Sequence, residues 1–116
     1  MACAAAAPHG PVGLLAYRLD GDTVEIVVLH AAVRHRGVGT ALLDALAATF
    51  PGREIWLVTT NDNLDALRFY QRRGFRIRSV APGAADDARR TLKPSIPTHG
   101  AHGIAVRDEI ELVLER

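Results

Sequence analysis

The chain is poor in several residue types that would point to a particular class of protein. It has one cysteine, Cys3, among 116 residues, so no internal disulfide can form and a disulfide-stapled secreted scaffold is excluded. Lysine is equally scarce, because thirteen of the fourteen basic residues are arginines. Their scattered positions fit a compositional bias better than phosphate recognition. A reducing compartment is consistent with this composition, and we predict a cytoplasmic location.

An excess charge of one sign and a long hydrophobic run are also missing. The formal net charge is +1, whereas nucleic-acid binders usually present a basic face, so we predict no nucleic-acid partner. The apolar opening, residues 1–8, is too short to span a membrane and has no basic side chain ahead of it. We therefore predict no membrane partner, and a mobile tail over residues 1–12.

The residues that are present suffice for one small α/β domain over residues 13–116. Hydrophobic residues make up 48% of the chain, which is enough for a single core. Alternation of strands and helices after an initial hairpin indicates a mixed sheet. The predicted elements are strands 13–19 and 23–33 joined by a turn at 20–22, helix 39–50, strand 54–60, helix 63–73, strand 75–80 and strand 108–114.

One long segment breaks this alternation. Residues 81–103 contain three prolines, several glycines and one short helical stretch, residues 84–92. A connection of this length in a small domain is usually functional or mobile, and we expect it to cover part of the sheet or to shape a substrate pocket. His99 and His102 lack the cysteine or acidic neighbours of a metal site, so we predict no metal.

The longest strand and the first helix are joined by residues 34–39, which read RHRGVG. A strand that feeds a glycine turn and then a helix presents free backbone N–H groups at the positive end of the helix dipole, which suits a pyrophosphate. Gly37 and Gly39 lack the side chains that would hold phosphates away from the backbone. On these residues alone, an ordinary loop is the other interpretation.

A second motif follows the strand at 54–60. Asn61, Asp62 and Asn63 can cap the helix that follows, and Gly74 is suited to end it. Together the two motifs, R-x-x-G-x-G and N-x-x-A-x-x-x-Y-x-x-x-G-F, resemble the GNAT family of N-acetyltransferases. The resemblance covers about residues 13–80, with a weaker echo in the last strand.

The resemblance implies the acyl-CoA N-acyltransferase fold, which is a mixed, mostly antiparallel sheet with a splayed pair of parallel strands and flanking helices. It also implies acetyl-CoA as the co-substrate. Strands 23–33 and 55–60 would diverge to admit the pantetheine, and a bulge near His30 or Ala31 would aim backbone groups at it. The coenzyme-binding residues implied are Leu29, Ala31, Val33, Arg34, Arg36, Gly37, Val38, Gly39, Thr40, Asn63 and Tyr70.

Acetyl transfer to an amine requires a general base, because an ammonium group must lose a proton before it attacks a thioester. Glu25 is our candidate, since a carboxylate within an otherwise apolar strand is costly unless it is solvated or paired. The alternative is a glutamate without a catalytic role that remains solvated at an edge or in a cavity. His30 is the second candidate, but it has the opposite strand parity, so we predict that it points to the other face and packs there.

The resemblance assigns proton delivery to the coenzyme thiolate to Tyr70, whose phenol would lie near the sulfur. Packing is the general alternative for a helical tyrosine. Asn63 would either bond the pantetheine arm or fix the strand-to-helix turn. Three arginines of the second motif either reach coenzyme phosphates or remain at the surface: Arg68, Arg72 and Arg73. The predicted catalytic residues are thus Glu25 and Tyr70.

The chain departs from the family before Gly13. GNAT domains usually begin with a strand and two helices that close one side of the acceptor site, so we expect an uncovered sheet face and an incomplete acceptor pocket. From this we predict a homodimer, formed by residues 81–103 and the last strand, 108–114, whose apolar and polar sides suit a sheet edge. A monomer capped by residues 81–103 is the alternative.

The sequence therefore predicts an acetyl-CoA-dependent N-acetyltransferase that acts on a small-molecule or peptide amine. Cys3 is poorly placed to carry an acetyl group, which favours direct transfer to the primary amine. Two other functions stay open: a non-catalytic acyl-CoA-binding or regulatory domain, and a protein-interaction module. Release of coenzyme A from acetyl-CoA distinguishes the enzyme from both.

Overall fold

A computed structural model of the chain describes residues 2–7, 10–31 and 37–116. It divides into two compact units, residues 1–57 with Arg116, and residues 58–115. The single domain expected from composition stays a prediction. The elements are β1 (Ala2–Ala7), β2 (Gly10–Asp20), β3 (Thr23–Ala31), α1 (Val38–Thr49), β4 (Ile55–Thr60), α2 (Leu64–Arg72), β5 (Phe75–Ala81), α3 (Ala84–Thr91), a short 3₁₀ turn (Ala101–Gly103) and β6 (Glu109–Leu114).

The first unit is built on the hairpin of β2 and β3. The two strands are antiparallel, with Asp20 opposite Thr23, so the turn is the pair Gly21-Asp22 inside the predicted 20–22. Gly21 has a φ of 59°, which a glycine adopts at no steric cost. The prediction of a mobile tail over residues 1–12 is wrong for the described residues 2–7 and 10–12, because β1 pairs antiparallel with β2. A run of alanines has no polar alternation, so it gave no strand signal.

The β2–β3 ladder contains a bulge. Tyr17 lies opposite Ile26, but the next residue of β2, Ala16, lies opposite Val28, so Val27 is the extra residue of β3. One inserted residue exchanges the two faces for everything that follows it. In the described part of the ladder the bulge therefore lies at Val27, not near His30 or Ala31 as the resemblance implies.

The bulge corrects the predicted orientation of His30. Glu25 lies opposite Arg18 and His30 lies opposite Leu14, and β2 residues separated by an even number share a face. Glu25 and His30 therefore point to the same side of the sheet. The parity argument failed because it counted an unbroken strand.

Helix α1 covers the other face of the hairpin. The helix buries Leu42, Leu43 and Leu46, and the ring of Phe50 meets that of Tyr17 edge to face at 5.3 Å between centroids. The approach is close at Gly13, where an added Cβ would lie 2.5 Å from Val38 Cγ1. The core of this unit thus lies between α1 and one sheet face, and Glu25 is on the opposite face.

The pairing of β3 with β4 is parallel and short. It runs from Val24 opposite Ile55 to Ile26 opposite Leu57, whereas β3 continues for five residues beyond Ile26 to its end at Ala31. The strand order in this unit is β1-β2-β3-β4. This confirms the predicted mostly antiparallel sheet with one splayed parallel pair.

In the second unit the strand order is β4-β6-β5. Strand β6 therefore lies between two others, and the prediction that it forms a sheet edge is wrong. Its residues Leu112 and Val113 are both buried, which a strand covered on both faces allows. The edge strand is β5, in which Phe75 is buried and the remaining residues are exposed.

The helices of the second unit follow the predicted positions. Helix α2 is capped at Asn63, whose side chain accepts from the Ala66 amide at 3.2 Å. It is followed by Gly74 with a φ of 95°, the left-handed residue that commonly ends a helix. Helix α3 matches the short helical stretch predicted at 84–92.

The long segment around α3 is ordered by one arginine. The Arg89 guanidinium donates to the carbonyls of Ile96, Pro97 and Val106 at 2.8–2.9 Å and to the Asp86 carboxylate at 2.6 Å. A planar guanidinium suits such convergent acceptors. Arg89 therefore ties the chain that follows α3 to that helix.

Candidate active site

Helix α1 begins at Val38, and its N-cap residue is Gly37, which has a φ of 74° and no side chain to accept from the first amides. The first turn contains no acidic residue, and the first backbone bond runs from the Ala41 amide to the Gly37 carbonyl at 2.9 Å. The amides of Val38 and Gly39 consequently have no acceptor within the helix. An uncapped helix start with positive dipole is suited to bind a phosphate.

The structure describes the other predicted coenzyme residues only in part. Val33, Arg34 and Arg36 lie outside the described residues. Leu29 is half-buried opposite Leu15, on the face that α1 covers. At the end of β3 and the start of α1, four predicted coenzyme residues are half-buried: Ala31, Val38, Gly39 and Thr40. Their coenzyme contacts stay a prediction.

Glu25 lies in the middle of a row of three polar or aromatic side chains. It is opposite Arg18 on β2 and opposite Trp56 on β4. The Arg18 guanidinium forms an ion pair with the Glu25 carboxylate, and the Trp56 indole N–H donates to the Thr23 hydroxyl at 3.0 Å. The cost of a carboxylate in an apolar strand is thus offset by an ion pair.

Arg18 and Trp56 were missed in the sequence, although signals for both were present. A two-residue turn at Gly21-Asp22 fixes the pairing of the hairpin, which places Arg18 opposite Glu25. Trp56 is the only tryptophan of the chain and lies in an otherwise apolar predicted strand. His30 shares the face with this row and is exposed.

Tyr70 belongs to the second unit and is buried on α2. Its ring meets Phe69 and Phe75 edge to face, each at 5.2 Å between centroids. Burial raises the pKa of Tyr70 to about 12, since the phenolate is poorly solvated there. The phenol therefore remains protonated at neutral pH and can donate a proton or a hydrogen bond.

The second motif has a structural role at the strand-to-helix turn. Besides capping α2, Asn63 donates from Nδ2 to the Thr59 hydroxyl at 3.1 Å, which supports the turn-fixing role. Arg73 donates to the Phe69 carbonyl at 2.9 Å and its guanidinium lies 3.8 Å from the Phe69 ring centroid. Arg73 is thus engaged with its own helix, whereas Arg68 and Arg72 are exposed.

Asn61 bonds the end of β4 to the chain that leads into β6. Its Oδ1 accepts from the amides of Arg107 and Asp108 at 3.0 Å each, and its Nδ2 donates to the Ala105 carbonyl at 2.8 Å. Sequence reasoning treated this residue as part of a helix cap. The distant partners could not be read from local spacing.

Asp62, the residue after Asn61, is buried. Burial opposes its ionisation, but hydrogen bonds from the Thr60 hydroxyl and the Ala101 amide, with the nearby charge of His102, lower the pKa of Asp62. The bonds measure 2.5 Å and 3.0 Å. At Gly100 an added Cβ would lie 2.0 Å from Asp62 Oδ2, so only glycine fits there.

The described part of the chain contains neither a cluster of metal ligands nor a membrane-spanning helix. Within residues 2–7, 10–31 and 37–116, no three histidine, cysteine or acidic side chains are grouped closely enough to hold a metal ion. In the same ranges no helix has the length and apolar character needed to cross a membrane.

Known sequences similar to this chain support the resemblance. The acetyltransferase (GNAT) family pattern matches residues 2–75. The uncharacterized protein YdhI of Bacillus subtilis (strain 168) is 43% identical over 102 residues, which are 85% of this chain and 63% of YdhI. The uncharacterized protein YxbD of the same organism is 41% identical over 107 residues, which are 90% of this chain and 67% of YxbD. The chain thus spans about two thirds of the length of these relatives.

Solved structures share the fold. A GNAT family acetyltransferase from Elizabethkingia anophelis with acetyl-CoA bound superposes with a TM-score of 0.79 at 24% identity, over 97% of this chain and 74% of that protein. A Bacillus subtilis acetyltransferase in complex with CoA superposes with a TM-score of 0.79 at 26% identity, over 99% of this chain and 76% of that protein. With the family pattern matched over more than half of its residues, the chain belongs to the GNAT family of acetyltransferases.

Proposed function

We propose that the chain is an N-acetyltransferase that moves an acetyl group from acetyl-CoA directly to a primary amine. The observation that carries this proposal is the start of α1, where the N-cap residue Gly37 is left-handed and supplies no side-chain cap to the first turn. Such a turn is built to receive an anionic group. The family membership and the two similar structures with acetyl-CoA or CoA bound support the same substrate.

The reaction assigns a base role to Glu25. Its carboxylate takes a proton from the acceptor ammonium, and the free amine attacks the carbonyl carbon of the thioester. The C–N bond forms, the C–S bond breaks, and the nitrogen loses a second proton. One of the two protons ends on the coenzyme sulfur and the other in solvent, so the products are an amide, coenzyme A and a proton.

Tyr70 is proposed to protonate the leaving sulfur. A phenol with a pKa of about 12 is a weaker acid than an alkyl thiol of pKa about 8.5, so full transfer is uphill by roughly 5 kcal/mol. We therefore expect Tyr70 first to stabilise the thiolate by a hydrogen bond. It then passes its proton to the sulfur as product leaves, and one of the two protons released by the amine returns to the phenol through solvent.

Binding of the coenzyme is tested by thermal shift with a matched pair of glycine variants. Gly37 and Gly52 have φ values of 74° and 75°, and an added Cβ at either meets no atom within 4 Å. Gly37→Ala and Gly52→Ala should therefore lose similar stability. Acetyl-CoA at a hundred times its Kd should raise the Tm of the wild type by about 10 °C.

We expect the Gly52→Ala variant to keep this shift and the Gly37→Ala variant to lose most of it. A thirtyfold weaker Kd leaves about 0.9 kcal/mol of the 2.7 kcal/mol of ligand stabilisation, which is a shift of about 3–4 °C. An undiminished shift in Gly37→Ala overturns the phosphate-binding assignment of the turn.

Catalysis is tested by release of coenzyme A in the presence of small amines, amino acids, polyamines and peptides. Glu25→Gln and Tyr70→Phe should each lower turnover about 10²- to 10⁴-fold while the coenzyme-induced Tm shift remains. Glu111→Gln is the control, because Glu111 forms a cross-strand ion pair with Arg78 on the other unit. Wild-type turnover in Glu25→Gln at every pH removes Glu25 from the mechanism.

A non-catalytic acyl-CoA-binding domain is the second candidate. The observation in its favour is that the Glu25 carboxylate already has a partner in Arg18. Acetyl-CoA binding without coenzyme A release on any acceptor identifies this function.

A further inference from the structure

The ion pair of Arg18 and Glu25 is unequally exposed. The Glu25 side chain is 13% exposed and that of Arg18 is 68% exposed. In two other ion pairs of the described chain, the carboxylates of Asp87 and Glu115 are 67% and 66% exposed. The face thus presents an open guanidinium next to a sheltered carboxylate, which is unlike an ordinary solvated surface pair.

Apolar side chains lie next to this ion pair on the same face of the sheet. Val28 and Ala16 form the next opposed pair along the hairpin, and His30 and Leu14 form the pair after that. Leu14 and Val28 are both exposed. Trp56 flanks Glu25 on the side of β4. One positive and one negative group therefore stand at the border of an exposed apolar surface.

We propose that the acceptor is an amino acid with a free α-carboxylate and an apolar side chain. This inference rests on the proposed acetyltransferase function and names its substrate class. A zwitterion aligned antiparallel to the ion pair places its ammonium group at Glu25, beside the Trp56 ring, and its carboxylate at Arg18. Its side chain then lies over Val28 and Leu14.

The chemistry of this arrangement excludes the other acceptor classes. A polyamine would place a second cation near the Arg18 guanidinium, where the like charges repel. The amino terminus of a peptide has no carboxylate next to its amine, so Arg18 would gain no partner.

Acceptor preference is measured by coenzyme A release with three matched acceptors: leucine, leucinamide and isoamylamine. All three have the same side-chain branch, and only leucine has a carboxylate. The amine of leucinamide is less basic and that of isoamylamine more basic than the amine of leucine, so the two bracket the effect of basicity. For leucine we expect a kcat/KM about 10- to 100-fold above both, the factor of a charge-assisted pair of hydrogen bonds.

The variants test whether Arg18 causes the preference. The measured quantity is the ratio of kcat/KM for leucine to that for each amine, because any effect of Arg18 on Glu25 cancels in it. Arg18→Gln should reduce the ratio to about one, and Arg18→Lys should retain part of it, since lysine keeps the charge without the fork. Arg90→Gln is the control, because Arg90 is as exposed as Arg18 and also pairs with a carboxylate.

A wild-type ratio near one, or a ratio that Arg18→Gln leaves unchanged, overturns the proposal while the acetyltransferase function stands. Absence of coenzyme A release with every acceptor overturns the acetyltransferase function, and this inference with it. The acetyl-CoA-induced Tm shift verifies that each variant is folded. A ratio above ten that only the Arg18 variants reduce establishes the acceptor class.

Discussion

Replacement of Asn61 by alanine gives the sharpest test of the structure. The side chain accepts from the amides of Arg107 and Asp108 and donates to the carbonyl of Ala105. Alanine removes all three bonds and leaves three backbone groups without that partner. Asn63→Ala is the matched control, since Asn63 is exposed, belongs to the same turn and makes one bond to a backbone amide.

The magnitude follows from the bonds that are lost. A net contribution of about 1 kcal/mol for each gives about 3 kcal/mol. Arg107 is exposed, so water can replace the partner of its amide, and we expect a loss of about 2–3 kcal/mol. Asn63→Ala removes a helix cap and should lower the free energy of unfolding by about 1 kcal/mol.

Equilibrium unfolding in urea measures both variants. Asn61→Ala should lower the midpoint at an unchanged m-value, and its Tm should fall by roughly 10 °C. If the free energy of unfolding of Asn61→Ala lies within about 0.5 kcal/mol of the wild-type value, the three Asn61 bonds do not stabilise the fold and the reasoning is refuted. An equal loss in both variants contradicts it too, because a cap alone would then account for the effect.

Three further predictions concern the described surfaces and the buried phenol. Because burial raises the folded pKa of Tyr70 to about 12, its contribution to the free energy of unfolding is present below pH 10 and falls by up to about 2.7 kcal/mol as the pH rises towards 12. Urea unfolding of Tyr70→Phe should lack this part of the alkaline loss of stability. A pH profile identical to that of the wild type contradicts the burial of the phenol. Arg89→Ala should expose residues 92–98 to limited proteolysis, with Arg89→Lys restoring less than half of the protection, and unchanged cleavage speaks against the arginine-held segment. We also expect a homodimer, now through edge strand β5 with its exposed Ile77 and Val80; a monomeric mass in sedimentation at micromolar concentration, with and without acetyl-CoA, counts against it.

Local chemistry accounts for the parts of the fold that the sequence predicts. The turn at Gly21-Asp22, the cap at Asn63 and the helix end at Gly74 each depend on residues within one turn of the chain. The helix positions follow from apolar periodicity in the same way. These features were predicted because their causes are contiguous in sequence.

The remaining features depend on contacts between distant residues. The bulge at Val27 is a property of two strands, and nothing within β3 marks it. The interior position of β6 depends on which strands pair with it. The same holds for Asn61, whose three partners are more than forty residues away along the chain. The prediction of Tyr70 came from the family resemblance and that of Glu25 from a carboxylate in an apolar strand. Arg18 and Trp56 needed the register of β3 with its two neighbours.

The excursion between β5 and β6 begins and ends at nearly the same place. The last ladder pair is Ala81 with Glu109, and the Gly83 amide donates to the Asp108 carboxylate at 2.8 Å. The Arg89 bonds all stay within the excursion. In topological terms, β5 and β6 are a hairpin whose loop is a small folded body. Shortening this loop to a tight turn would leave the ladder of β5 and β6 in place, but it would remove the bonds that the loop makes with Asn61 and Asp62 at the end of β4.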